Sequence, residues 1–205
     1  MFRQDELFSE HEVYKLKEGQ IDLWRQAFSG SEFDGIYQDL LHELAWRQDE
    51  ISFAGKTLLI PRLNCWYGDP GKSYSYSGIH FQPLAWTESL LKIKKLVEDF
   101  SGEKFNSVLC NYYRNEKDSV SRHSDNEEEL GKNPTIASVS FGETRTFVLR
   151  HKFFKDFKAL KFELNNASLF IMSGKIQQYY DHEIPKSSKK CKGRINLTFR
   201  NVLRS

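Results

Sequence analysis

His123-Ser124-Asp125 sets two metal-ligand side chains two residues apart. On extended backbone, positions i and i+2 face the same way, so imidazole and carboxylate can meet one ion. A second histidine would complete a set of two histidines and one carboxylate. His182, in Tyr179-Tyr180-Asp181-His182, is the candidate. Such a set grips octahedral iron(II) on one face and leaves positions open for a bidentate co-substrate and dioxygen. Taken alone, a His-x-Asp pair also fits an N-capping aspartate beside a surface histidine.

The C-terminal run Arg194-Ile195-Asn196-Leu197-Thr198-Phe199-Arg200 alternates strictly. As a strand it puts Ile195, Leu197 and Phe199 on one face and Arg194, Asn196, Thr198 and Arg200 on the other. Two guanidiniums, an amide and a hydroxyl on one face are costly to bury empty. A dicarboxylate would satisfy them, since arginine pairs with carboxylate through two parallel bonds. An exposed edge strand with surface arginines is the other reading. Asn111 and Tyr113 likewise share a face and offer two more polar tips to the same small acid. Tyr113 packed in an ordinary core is the alternative there.

These residues need strands to hold them. From Asn106 onward, short apolar runs recur at about 107–113, 136–141, 145–150, 160–164, 168–172, 179–182 and 194–202. Many short strands separated by turns predict a sandwich, jelly roll or barrel. The N-terminal third reads as partly helical. Phe33, Ile36, Leu40, Leu41 and Leu44 fall at helical spacing behind Ser31 as N-cap. A second helix is predicted from Thr87 to Phe100, with Gly102 just past its end. Between the helices, Leu58 to Phe81 reads as a hairpin around Gly68-Asp69-Pro70-Gly71, with Tyr74 and Tyr76 on one face. The expected class is α+β, a β-barrel-like C-terminal core buttressed by helices and a hairpin.

The 205 residues fit one domain, and 14% aromatic with 28% charged residues exclude a disordered chain. No apolar run approaches the length of a membrane span, and MFRQDELFSEHEVYK is not a signal peptide. Cys65, Cys110 and Cys191 are odd in number and far apart, which points to a reducing, intracellular compartment rather than a disulfide framework or zinc ribbon. Residues 1–50 carry five basic and twelve acidic side chains, a net of −7, whereas residues 186–205 carry seven basic ones and no acid. That basic end suggests a face for a polyanion, or a solvated lysine loop.

Taken together, Asn111-x-Tyr113, His123-x-Asp125, His182 and Arg194-x5-Arg200 resemble the AlkB-type iron(II)/2-oxoglutarate dioxygenases. Ile136-Ala137-Ser138-Val139-Ser140-Phe141-Gly142 and Asn196-Leu197-Thr198-Phe199-Arg200 also resemble that family, and the likeness spans about residues 50–203. It is closest to the branch that repairs alkylated nucleic-acid bases. The resemblance implies a double-stranded β-helix (jelly-roll) core over 106–205 in a single domain of 1–205. Residues 1–105 would form an N-terminal extension and nucleotide-recognition flap.

The resemblance also implies a site. His123, Asp125 and His182 would hold Fe(2+) as the catalytic triad. Asn111, Tyr113, Arg194, Asn196, Thr198 and Arg200 would surround 2-oxoglutarate, with Arg200 on the carboxylate beside the keto group and Arg194 on the distal one. Dioxygen and 2-oxoglutarate would oxidise an N-methyl group of 1-methyladenine or 3-methylcytosine, yielding succinate, formaldehyde and the repaired base. Tyr74, Ser75 and Tyr76 resemble the flap that grips a flipped base, where aromatic stacking is expected. Relatives often carry a second acid directly after the metal aspartate; here Asn126 stands there, followed by Glu127. Duplex-active relatives carry an aromatic finger; the matching segment is Phe53-Ala54-Gly55-Lys56, with Ala54 at its tip. The expected partner is DNA, single-stranded by preference, or RNA, acted on by a monomer with no membrane contact, in the cytoplasm of a bacterium or the nucleus of a eukaryote. The same chemistry on RNA or a protein side chain, and a silent jelly-roll binding module, are the rival readings. A zinc hydrolase would leave the arginines unexplained.

Overall fold

In the computed structural model, the described residues are 11–53, 55–72, 74–76, 79–81, 83–154 and 156–203. The chain runs β1 (His11–Leu16), β2 (Gly19–Trp24), α1 (Ile36–Glu43), β3 (Glu50–Phe53), β4 (Lys56–Leu59), β5 (Leu63–Gly68), β6 (Tyr74–Tyr76), β7 (Ile79–Phe81) and α2 (Glu88–Ser101). It continues through β8 (Ser107–Tyr113), β9 (Val120–His123), β10 (Ile136–Gly142), β11 (Arg145–His151), β12 (Leu160–Leu164), β13 (Ser168–Gly174), α3 (Ile176–Tyr179), β14 (Tyr180–Ile184) and β15 (Arg194–Arg200).

Two antiparallel sheets form the expected jelly roll. The major sheet has the order β1-β2-β13-β10-β15-β8-β5 and the minor sheet β12-β11-β14-β9. Strand parity divides the interior into two cores. Ile195, Leu197 and Phe199 of β15 point, with Val108, Cys110, Val139 and Ile171, into a layer closed by Ile36 and Leu40 of α1 and Leu90, Ile93 and Val97 of α2. The opposite face of the major sheet meets the minor sheet through Leu23, Leu109, Ile136 and Phe170 against Phe147, Leu149, Phe162 and Ile184. All seven residues of β15 are buried, so its polar face also lies inside, between the sheets.

Helix α2 matches its sequence signals. Thr87 Oγ1 accepts from the Leu90 N–H at 3.3 Å, and Gly102 closes the helix at φ 71°. Helix α1 starts later than Ser31 suggests. Ser31 opens a 3₁₀ turn over Ser31–Phe33, and the helix begins at Ile36 after left-handed Gly35 at φ 81°. The N-terminal third, read as partly helical, also holds two strands that were not expected. β2 buries Ile21 and Leu23 at alternate positions and pairs with β13, while β1 covers it as the edge strand.

The single hairpin expected over 58–81 is three separate features. β4 pairs with β3, β5 joins the major sheet beside β8, and only β6 and β7 pair with each other, Tyr74 opposite Phe81. The turn at Gly68–Gly71 therefore leads out of β5. Asn64 to Gly68 are buried, and a strand covered on both faces belongs to a packed sheet rather than to a free hairpin. β9 was not among the expected strands, and β14 begins and ends later than 179–182. The basic C-terminal end divides too. Lys186, Lys189, Lys190 and Lys192 are exposed, whereas Arg194 and Arg200 are buried.

Candidate active site

The minor sheet brings the two histidines together. His123 ends β9 and His182 sits within β14 as its cross-strand partner, with ring centroids 4.3 Å apart. Asp125 follows two residues beyond β9 and is buried. One ligand atom from each of the three lies within 4.8 Å of the others. Both imidazoles turn Nε2 towards Asp125, at 3.9 Å from Oδ1 for His123 and 3.9 Å from Oδ2 for His182. Those separations are too long for hydrogen bonds, so the three donors converge on a common point without satisfying one another.

Protonation suits a cation there. His123 Nδ1 lies 2.7 Å from the Ser121 carbonyl oxygen and so carries the proton, which puts the lone pair on Nε2, the atom turned towards the aspartate. Burial pushes the His182 imidazole down to about 3 and lowers His123 as well. Burial alone would raise the Asp125 carboxyl, but Arg200, donating from Nη2 to Oδ1 at 2.7 Å, holds it down at about 2. At neutral pH the set is two neutral imidazoles and one carboxylate, the form in which each binds metal.

The same cluster lines a cavity with about 40 Å³ of free volume. The face of β15 predicted to be polar lines it, with Arg194, Asn196, Thr198 and Arg200 all present, and β8 adds Asn111 and Tyr113. Register explains the assembly: β8 sets Tyr113 opposite Arg194 and Asn111 opposite Asn196, and β10 sets Ser138 opposite Thr198 and Ser140 opposite Asn196. Arg194 is 1% exposed, donates from Nη2 to Ser140 Oγ at 2.8 Å, and lies 5.3 Å from the Tyr113 ring centroid. Its Nε and Nη1 meet no hydrogen-bond acceptor among the described residues. Burial pushes this guanidinium down to about 10. Asn196 donates to Ser138 Oγ at 2.8 Å and to the Val139 carbonyl at 2.9 Å, which fixes its amide.

Several cavity or bracing residues carried no clear signal in the sequence. Arg62 lines the cavity and donates from Nε to Asn111 Oδ1 at 2.7 Å. Gln177 is 1% exposed, and its Oε1 accepts from the Asp125 N–H at 2.9 Å. Lys152 donates to Ser124 Oγ at 2.8 Å and to the Gln177 carbonyl at 2.7 Å, behind the His-x-Asp turn. For Ser138 and Ser140 the available signal is their alternation with Ala137, Val139 and Phe141, from which they face away.

The substrate side is less concentrated. Tyr74, Ser75 and Tyr76 form β6; Phe53 and Lys56 pair across the β3–β4 turn, and Gly55 at φ 75° lies within it. Ala54 lies outside the described residues. Asn126 is exposed and Glu127 half-buried; among the described residues neither lines the cavity.

A jelly roll with a buried His-x-Asp…His cluster beside buried arginines has the makings of a non-haem metal oxygenase site. The chain belongs to the 2OG-Fe(II) oxygenase superfamily, whose model matches residues 20–200. It is 41% identical over 179 residues to alpha-ketoglutarate-dependent dioxygenase alkB homolog 3 of Bos taurus, covering 83% of this chain and 62% of that one. It is 34% identical over 185 residues to the DNA oxidative demethylase ALKBH2 of Homo sapiens, covering 86% of this chain and 71% of the relative. The chain thus spans less than two thirds of the length of the alkB homolog 3 relatives. The solved structure of OsALKBH1 shares the fold at a TM-score of 0.65 and 18% identity, over 93% of this chain and 100% of that one.

Proposed function

We propose that the chain is an iron(II)/2-oxoglutarate-dependent demethylase of alkylated nucleic-acid bases, with 1-methyladenine and 3-methylcytosine as substrates. The observation that carries this is the meeting of two sets in one cavity: a His-Asp-His donor cluster and a buried arginine with unmet N–H groups. The donor set fits iron(II), and the arginines fit a dicarboxylate. Similarity to the alkB homolog 3 and ALKBH2 proteins supports the choice of substrate.

Iron(II) with 2-oxoglutarate and dioxygen supplies the oxidation of an N-methyl group, leaving succinate, carbon dioxide and an N-hydroxymethyl base that sheds formaldehyde. The chain's own residues do the rest. Neutral His123 and His182 and ionised Asp125 hold the metal. Arg200 takes the carboxylate beside the keto group while bracing Asp125, and Arg194 takes the distal carboxylate. Asn111, Tyr113, Asn196 and Thr198 complete the polar wall, and Leu109, Phe147, Met172 and Ile184 exclude water from the remaining wall. Tyr74, Ser75 and Tyr76 would stack on and orient the flipped base.

Single strands are the favoured substrate. A base flipped from a duplex leaves an unstacked gap costing a few kcal/mol, and alanine at position 54 of the Phe53-Ala54-Gly55-Lys56 segment is too small to fill it. Formaldehyde release from 1-methyladenine in matched single and double strands, with and without 2-oxoglutarate, tests the whole reading. Release that requires 2-oxoglutarate and is faster on single strands is expected. Formaldehyde from neither strand, with succinate formed on a methylated peptide instead, would move the substrate to protein.

A further inference from the structure

The loop between β11 and β12 reads Lys152-Phe153-Phe154-Lys155-Asp156-Phe157-Lys158. Phe153, Phe154 and Phe157 are 67%, 50% and 63% exposed. The loop is also built rather than loose. His151 is buried at its root, and its Nδ1 accepts from the N–H groups of Phe153 at 3.1 Å and Phe154 at 3.0 Å. The three rings gather around that imidazole at 6.0, 4.7 and 5.9 Å, and Phe154 and Phe157 lie 5.5 Å apart.

Two further observations indicate what covers these rings. The cations are interleaved with the aromatics, and exposed Lys17 adds another, with Nζ 5.9 Å from the centre of Phe154. Position is the second. Lys152, next to Phe153, bonds Ser124, the residue between His123 and Asp125. The platform therefore begins at the back of the catalytic turn. A strand delivering one base to the cavity must carry its neighbouring nucleotides across the adjoining surface.

We propose that Phe153, Phe154 and Phe157 form a stacking platform for the unpaired nucleotides that flank the base in the active site. Aromatic faces beside cations are the way proteins hold single strands without reading sequence, because every base has a π-face. A partner protein would be served by aliphatic side chains as well, and the loop offers none on its exposed side. The inference rests on the demethylase reading and extends it from the base to the strand.

The test uses the full chain loaded with manganese(II) and 2-oxoglutarate, which binds without turning over. Anisotropy of a labelled, unmodified single strand gives affinity, and formaldehyde release from the 1-methyladenine mononucleotide with iron(II) gives chemistry. Phe153→Ala/Phe157→Ala should weaken strand binding roughly tenfold or more per ring. The slope against salt should stay unchanged, because no phosphate contact is removed. Phe157→Trp in the Phe153→Ala background should recover affinity. Mononucleotide turnover should be that of the parent chain, since the rings lie outside the cavity. Strand affinity within about twofold of the parent in the double variant overturns the platform. Such a result together with a loss of self-association assigns the rings to a protein contact instead. Failure of the parent chain on the mononucleotide counts against the demethylase reading and leaves the anisotropy result to judge the platform by itself.

Discussion

Replacing Arg194 with methionine should have opposite effects on the empty protein and on co-substrate binding. In the empty fold this guanidinium is 1% exposed, holds one hydrogen bond to Ser140 Oγ at 2.8 Å and lies over the Tyr113 ring. A charged hydrogen bond is worth about 1.5–3 kcal/mol, and a desolvated cation–π contact about 2 kcal/mol. Removing the ion from water costs several kcal/mol, so the sum is close to zero or unfavourable. Methionine has similar reach and no charge. Replacement of a buried ion by an apolar group of its size is neutral or stabilising by about 1–4 kcal/mol.

With 2-oxoglutarate bound, the balance reverses. A buried charge pair broken from one side costs about 2–5 kcal/mol, which is roughly 30- to 5,000-fold in the dissociation constant. Urea denaturation of the manganese-loaded chain with and without 2-oxoglutarate reads both terms. The parent should gain about 2.7 kcal/mol at a hundredfold excess of co-substrate over its dissociation constant, and Arg194→Met should gain almost nothing at that concentration. A variant destabilised in the absence of 2-oxoglutarate yet binding it normally would refute the reasoning, for Arg194 would then be a structural cation.

Four further outcomes are expected. His123→Ala and His182→Ala should abolish turnover and cut manganese(II) affinity sharply while the fold persists, because two ligands cannot hold an open octahedral site; calorimetry and circular dichroism check both halves. Arg200→Lys should raise the 2-oxoglutarate dissociation constant at least about thirtyfold, since an ammonium cannot reproduce the fork that also braces Asp125 at 2.7 Å; the measurement is direct titration. Gln177→Leu removes the acceptor of the Asp125 N–H and should weaken metal binding about 10- to 100-fold, with no matching fall in melting temperature of the metal-free chain. Asp118→Asn should cost about 2 kcal/mol at pH 7 and flatten the acid limb of a urea-midpoint series. Burial raises the Asp118 carboxyl, but bonds from Arg114 outweigh it and hold the folded value below 3.8, so this stability is present above pH 3.8 and lost as pH falls through the folded value.

Sequence was most informative where a strand is buried on both faces. β15 alternates polar with apolar residues, and that alternation predicts the cavity wall as well as the packed face against the helices; in β8 the pattern is legible only at Asn111 and Tyr113. β9 escaped notice because Val120-Ser121-Arg122-His123 is short, polar and partly exposed, and its pairing with β14 shifts register between His182 and Ile184. β1 and β2 were hidden by the acidic, helix-compatible composition of the first third, although Ile21 and Leu23 alternate. Gln177 could not be read at all. It lies in a four-residue helix beside exposed Gln178, and only the contact with Asp125, 52 positions away in sequence, gives it a role. Arg194 and Arg200 misled the charge count, since a basic residue adds to a surface field only when it reaches the surface.

The same parity that builds the site also makes it vulnerable. A shift of one residue in β15 would send both guanidiniums into the layer of Leu90, Ile93 and Val97 and would expose Ile195, Leu197 and Phe199 to the cavity. Pairing on both sides prevents this, through six registered positions with β10 and seven with β8. The strand carrying the most costly buried groups is therefore locked in register from both sides. Hydrophobic side chains at Arg194, Asn196, Thr198 and Arg200 would pack between the sheets at lower cost. Arg200 has Asp125 as a counter-charge, but no acidic group bonds Arg194 among the described residues. Its retention makes physical sense if a dicarboxylate completes the core, which makes the co-substrate part of the folded structure as well as a reactant.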